Sequence, residues 1–283
     1  MRHSIMDHNA NSSTFQPSLP SRWLPLSVRI WIFQQLAFHL IALVFEWCDR
    51  TGAICRFKVR SLERKPYTKM LSRVLFNQAF VLLPSMVIMQ VFRLSYVGET
   101  RLTMGRFLIS LPVMALGHDI VQYVTHRFLL HQSNSFLMRT LRHSIHHSTG
   151  ANSGITACYM SAPDFFLEIV LPYLIPLAVI GGGGSDILFH ALTVGLGAFG
   201  GVYEHSGYDF AVHLRNPPPG GNHTTLRASL SKVLAYFLDN RAHSAHHTRA
   251  NVSFSDGFGS PGISDTVLGT RWDLVPKHRP GAE

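Results

Sequence analysis

Long apolar runs alternate along the chain with polar connections that carry most of its histidines. Five runs stand out: 30–45 (IWIFQQLAFHLIALVF), 74–92 (VLFNQAFVLLPSMVIMQVF), 107–125 (FLISLPVMALGHDIVQYVT), 165–180 (FFLEIVLPYLIPLAVI) and 186–203 (DILFHALTVGLGAFGGVY). A helix needs about 20 apolar residues to cross a bilayer. The first, fourth and fifth are short for that, and the first also contains Gln34, Gln35 and His39. The second and third read as a helical pair with Pro84 and Pro112 as kinks, which membrane helices tolerate. GGGGS at 181–185 joins the last two as a flexible turn. That pair either crosses or forms a re-entrant hairpin, and both return the chain to its starting side. The predicted fold class is therefore all-α: an integral membrane helical bundle of about four to five segments arranged in hairpins. Residues 1–27, polar and rich in Ser and Pro, read as a flexible N-terminal tail rather than a signal peptide. Residues 28–283 read as a single membrane-embedded domain, with a surface loop at NPPPGGN, 216–222.

Composition agrees. The 283 residues are 46% hydrophobic and only 14% charged, against roughly 25% charged in soluble domains. The mean hydropathy is +0.14. The net charge of +9 sits beside the apolar runs, which points to membrane topology and anionic headgroups rather than nucleic acid. The basic stretch 50–73 reads as a solvated cytosolic loop under the positive-inside rule. Counting crossings puts 126–164 and 204–283 on its side. Asn11 in the tail then faces the lumen as a glycosylation sequon, whereas Asn222 and Asn251 stay idle. Cys48, Cys55 and Cys158 form no C-x-x-C, which excludes a disulfide framework and a thiolate metal site.

The chemistry lies in the 17 histidines. HSIHH at 143–147 and HSAHH at 243–247 each place histidines at i, i+3 and i+4, one face of a helix. Neighbours in such a run, His146/His147 and His246/His247, point about 100° apart, so each pair can reach two ions. His126 and His131, five apart, are separated by roughly 140° on a regular helix and suit either two flanks of a two-metal site or a distorted helix end. With His205 the clustered imidazoles exceed the four positions of a tetrahedral zinc site. Imidazole suits iron, zinc, copper or nickel, so spacing supports two transition metals without choosing the element. His3, His8, His39, His190, His213, His223 and His278 lack partners at ligand spacing and read as ordinary polar residues. His118, deep in the third run beside Asp119, is left open.

The ordered set H-x4-H (126–131), H-x2-H-H (143–147) and H-x2-H-H (243–247) resembles the fatty acid hydroxylase/sterol desaturase superfamily. DIVQYVTHR (119–127) is similar to that family's stretch around its first histidine. EHSGYDF (204–210) resembles the segment before the last box in C4-methylsterol oxidases, and NVSFSDGFGSPGISDTVLGT (251–270) the ending shared with sphingolipid C4-hydroxylases. The resemblance covers roughly 115–272. It implies a multi-pass enzyme of the endoplasmic reticulum whose histidine-rich cytosolic cap holds a di-metal centre, two iron ions, that uses O2 to oxidise an unactivated C–H bond in a lipid, sterol or terpenoid-like molecule. It carries over His126, His131, His143, His146, His147, His243, His246 and His247 as ligands, with His205 as a ninth. It also suggests Asp119, Glu204 and Asp239 as carboxylates behind them, since a metal-bound histidine donates its outer N–H to such a group; Asp239 reads equally well as a helix cap. Ser264 replaces the family's Trp, Ala211 replaces its Pro, and the residues after HSIHH are Gly/Ser/Thr-rich. These departures bear on the substrate and point to a specialised lipid or terpenoid.

The chain shows no Gly-rich dinucleotide fingerprint and no haem-binding cysteine motif, so electrons come from an external donor; the family implies cytochrome b5 or its reductase. HRPG at 278–281 is assigned to the tail. The alternatives are a desaturase on the same scaffold, a zinc-dependent membrane hydrolase, which the missing H-E-x-x-H disfavours, and a metal transporter, which would place its histidines at mid-membrane.

Overall fold

The computed structural model describes residues 24–60, 62, 64–131, 136–215, 225–255, 257 and 260–276. Residues 1–23 of the proposed tail, the histidines at 3, 8, 223 and 278, the Asn11 and Asn222 sequons, HRPG and the whole of the proposed surface loop 216–222 lie outside the described residues. Among those described there is no strand, only a single bridge between Lys58 and Tyr208. Five helices are long and apolar enough to cross a membrane: α1 Leu26–Thr51, α2 Tyr67–Val91, α3 Met104–Leu130, α6 Ala162–Val179 and α7 Ile187–His205. Short helices connect or follow them: α4 Phe136–Leu141, α5 Ser144–His147, α8 Ala211–Arg215, α9 Thr225–Phe237, α10 Arg241–Arg249 and α11 Ile263–Val267. This is an all-α membrane bundle. Helix α1 begins at Leu26, just inside the stretch read as tail, because Pro25 provides an extended residue ahead of it. It ends where Gly52 turns left-handed and its N–H caps the Cys48 carbonyl at 2.8 Å.

Only 22–44% of each apolar window is buried within the protein. Leu36, Leu40, Val44 and Trp47 on α1, and Leu188, Leu192 and Leu196 on α7, point outward. In water such stripes would be costly; in a bilayer the acyl chains cover them. Inside the bundle α1 packs along α7, and α3 along α6. The second pairing is tight: a β-carbon on Gly117 would sit 2.7 Å from the Pro176 β-carbon.

Two expectations change. The tetraglycine is a fixed turn, not a flexible one. Gly181, Gly182, Gly183 and Gly184 all have positive φ, and a β-carbon on Gly182 would strike the Leu94 carbonyl; only glycine fits that conformation and that approach. Asp186 then anchors α7 by accepting from the N–H groups of Leu188, Phe189 and Leu102. The basic stretch 50–73 is also not simply solvated. Lys58 donates to Asp49 (2.6 Å) and to the carbonyls of Asn152 and Ser206. Arg64 pairs with Glu46 and Asp49. Arg60 is buried and donates to the carbonyls of Gly150 and Ser244, one beside each H-x2-H-H box; burial lowers its pKa to about 10. The loop is a strap across the histidine-bearing segments, which fixes it on their side of the bundle.

Three of the long helices contain a π-turn: 78–82, 126–130 and 166–170. The first and third end immediately before Leu83-Pro84 and Leu171-Pro172. A proline nitrogen cannot donate, and an i→i+5 bond resets the ladder around the gap.

Candidate metal centre

The π-turn that ends α3 settles the geometry of the first two histidines. His131 N–H donates to the His126 carbonyl at 3.0 Å, an i→i+5 bond. That wider turn brings residues five apart round to one side, so the two imidazoles lie together, 4.9 Å between centroids. The two-flank arrangement is not adopted; the distorted helix end is. His143 stands at the start of α5, which carries His146 and His147; His205 ends α7; His243, His246 and His247 ride on α10.

All nine rings meet, in two adjoining groups. His126, His131, His143, His147 and His246 bring ligand atoms within 4.8 Å of one another, as do His146, His205, His243 and His247. Each adjacent pair is divided between the groups, His147 and His246 to the first, His146 and His247 to the second. His147 and His247 stack between them at 4.6 Å.

The outer nitrogens are held by the scaffold. His126 Nδ1 donates to the Phe254 carbonyl (2.7 Å), His246 Nδ1 to Val252 (2.8 Å) and His205 Nδ1 to Gly201 (2.8 Å). His143 Nδ1 donates to Asp164 Oδ1 at 2.9 Å. Each bond puts the proton on Nδ1 and leaves Nε2 as a lone pair. The lone pairs of His126 and His143 face each other at 3.1 Å, and beside them His205 Nε2 lies 3.0 Å from His243 Nε2 and 3.1 Å from His146 Nε2. Acceptors aimed at acceptors in a buried site repel unless a cation sits among them. The donor set therefore fits two imidazole-bound metal ions, one with five nitrogens and one with four.

Burial first, and the neighbouring imidazoles second, hold the pKa of His131, His147 and His246 down to about 3. His143, His146, His243 and His247 are lowered for the same reasons. An unfolded imidazole takes up a proton near pH 6.5. As pH falls below that value, the unfolded chain binds protons that the folded site refuses, so stability drops. Protons also compete with metal for the same lone pairs. Between pH 7 and pH 5 both the thermal midpoint and the retained metal are expected to fall. A flat profile over that range would contradict the burial of these rings.

The carboxylates behave differently from the sequence expectation. Asp119 is buried in α3 and touches the C-terminal segment, accepting from Ser260 Oγ and from the backbone N–H of Ile263 and Ser264. Asp239 lies two residues before α10, pairs with Arg241 and Arg215, and accepts from the Arg241 N–H; the N-cap position is Asn240. Glu204 lies so close to Gly257 that a β-carbon there would overlap its carboxylate. The carboxylates against the histidines are two the motifs did not mark. Asp164 holds His143, while Glu168 lies 3.4 Å from His143 Nδ1 and 3.6 Å from His146 Nε2. The signal was present: D-x3-E within an apolar run is costly at membrane depth and marks function by default.

The histidines read as ordinary have ordinary partners. His39 bonds Gln78 (2.9 Å), His190 bonds the Gly184 carbonyl, and His213 meets the Phe57 ring edge-on. His118 joins neither group.

The family model for fatty acid hydroxylase matches residues 111–270, more than half of the chain and the whole of both histidine groups. The chain belongs to the fatty acid hydroxylase family. The match begins inside α3 and ends at Thr270, so it takes in Asp164, Glu168 and the C-terminal segment that orients His126 and His246. No curated protein and no solved structure matches the chain. The family makes this fatty acid hydroxylase member a membrane oxidoreductase for lipid-like substrates.

Proposed function

We propose that the protein is an O2-dependent di-iron monooxygenase that hydroxylates an unactivated C–H bond of a lipid, sterol or terpenoid. The observation that carries this reading is the pair of adjoining all-imidazole groups, with converging lone pairs, in a membrane bundle of the fatty acid hydroxylase family. The balance is R–H + O2 + two electrons + two protons giving R–OH + H2O. With two irons held by the five- and four-histidine groups, the metals supply the redox chemistry of oxygen activation. The chain's part is to keep nine imidazoles neutral, to fix their rings through Phe254, Val252, Gly201 and Asp164, and to exclude bulk water. Electrons come from an external donor, cytochrome b5 or its reductase. The strap formed by Lys58, Arg60 and Arg64 lies on the histidine side, and the positive-inside rule makes that side cytosolic, in the endoplasmic reticulum. A specialised biosynthetic role fits Ser264, Ala211 and the Gly/Ser/Thr-rich stretch after the second box.

The test is the full chain in nanodiscs, loaded with iron, with a b5 donor system and 18O2, on total lipid and terpenoid extracts. One 18O atom in a new alcohol is the expected result. A new alkene without an alcohol would favour the desaturase, and turnover without O2 on zinc alone would discard the oxygenase in favour of a hydrolase.

A further inference from the structure

Helix α9 (Thr225–Phe237) is inverted relative to a helix on a water-facing surface. Its inward face is small: Ala235 is buried, with Ala228 and Ser231 half-buried one and two turns before it. Its outward face is large and apolar. Leu230, Val233, Leu234 and Phe237, at i, i+3, i+4 and i+7, are each 50–55% exposed, with Tyr236 beside them. An unbroken apolar stripe of this kind marks a surface that something apolar covers.

The stripe does not stand alone. Tyr236 Oη donates to the Pro261 carbonyl at 3.0 Å, tying α9 to the C-terminal segment. There Ile263, Val267 and Leu268 also point outward. The Ile263 N–H in turn is bound by Asp119 of α3, whose own outward residues include Ile120 and Val124. The apolar surface thus runs from the lipid-facing side of a membrane helix, across α11, onto α9. Exposed Lys232 on α9 adds a cation suited to phosphate headgroups. Between α9 and the C-terminal segment lies a cleft of about 220 Å3 lined by Tyr236 and Phe237 but also by Asp239, Arg241, Arg271 and Asp273; it is charged and does not continue the apolar surface.

We propose that α9 lies in the headgroup–acyl boundary of the leaflet on the histidine side. The occupant of the apolar face is lipid, because the face continues one that membrane helices already present.

The test labels single cysteines with a nitroxide, Leu230→Cys, Lys232→Cys, Val233→Cys and Leu234→Cys, in a full-length Cys55→Ser chain; Cys48 and Cys158 are buried. Chains with unchanged circular dichroism are reconstituted in phosphatidylcholine vesicles. At 230, 233 and 234, dissolved O2 is expected to collide with the label several-fold more often than a water-soluble nickel complex, with the ratio lower at 232. Equal nickel access at all four, or dipolar broadening from a second copy, would overturn the placement.

Discussion

Alanine at His247 is expected to empty the four-histidine group, and alanine at His246 to weaken the five-histidine group, although the residues are adjacent. Their rings diverge around α10, so each belongs to a different histidine group. His247→Ala leaves three imidazoles, from His146, His205 and His243. His246→Ala leaves four, from His126, His131, His143 and His147. The first variant should therefore retain about one metal ion per chain where the parent retains about two, and the second should hold its metal better. Both should lose oxidation by at least about 100-fold, since even the outer-shell partners of ligands matter by 10–100-fold. His213→Ala is the control: it removes only an edge contact with Phe57 and should leave metal content and turnover unchanged. Metal analysis of the three variants decides the matter. Two full equivalents of metal in both box variants would sink the division of adjacent histidines between two ions.

The second large effect is expected from a residue outside both histidine groups. Asp265 is buried and accepts four hydrogen bonds, from the N–H groups of Phe254 (3.0 Å) and Ser255 (2.7 Å) and the hydroxyls of Ser255 and Thr270. This closes the C-terminal segment into a loop whose carbonyls at Val252 and Phe254 orient His246 and His126. Asp265→Ala leaves two backbone donors without an acceptor, a cost of roughly 2–6 kcal/mol. It also frees two rings of the five-histidine group, for a loss in metal affinity of about 10–100-fold. Asp265→Asn keeps one carbonyl acceptor and should recover part of both. A purely structural residue would lower the thermal midpoint alone, so the readout is the midpoint together with the metal affinity of each group. Unchanged affinity in a folded Asp265→Ala chain would remove Asp265 from the support of the site.

Much of this was legible before any coordinates, and the reasons are local. Apolar run length marks the candidate crossings, and each helix overlaps its run with ends displaced by a few residues, as from 107–125 to Met104–Leu130. The i, i+3, i+4 spacing of the boxes fixes which rings share a helix face. The 100° step between neighbours already divides His146 from His147 and His246 from His247. These are properties of a few consecutive residues on a regular helix, and a sequence states them directly.

What depended on the tertiary structure is where regular geometry fails or distant segments meet. His126 and His131 share a group only because α3 ends in a π-turn, which no periodicity of 3.6 anticipates. Gly182 and Gly184 are packed left-handed against the Leu94–Glu99 segment and Gly183 against Phe189 and His190, contacts that the isolated turn does not have. Asp239 was drawn to Arg215 and Arg241, while Asp164 and Glu168 reached the histidines from an otherwise apolar helix. Proximity in sequence to the boxes did not mark these two, because an ion pair with a guanidinium and a place behind an imidazole are decided by which side chains face each other across the bundle. The sequence alone determined a membrane bundle whose histidine boxes can face a metal site. The tertiary structure decided which atoms orient each ring, since those bonds join residues as far apart as His126 and Phe254 and exist only once the C-terminal segment has closed over the site.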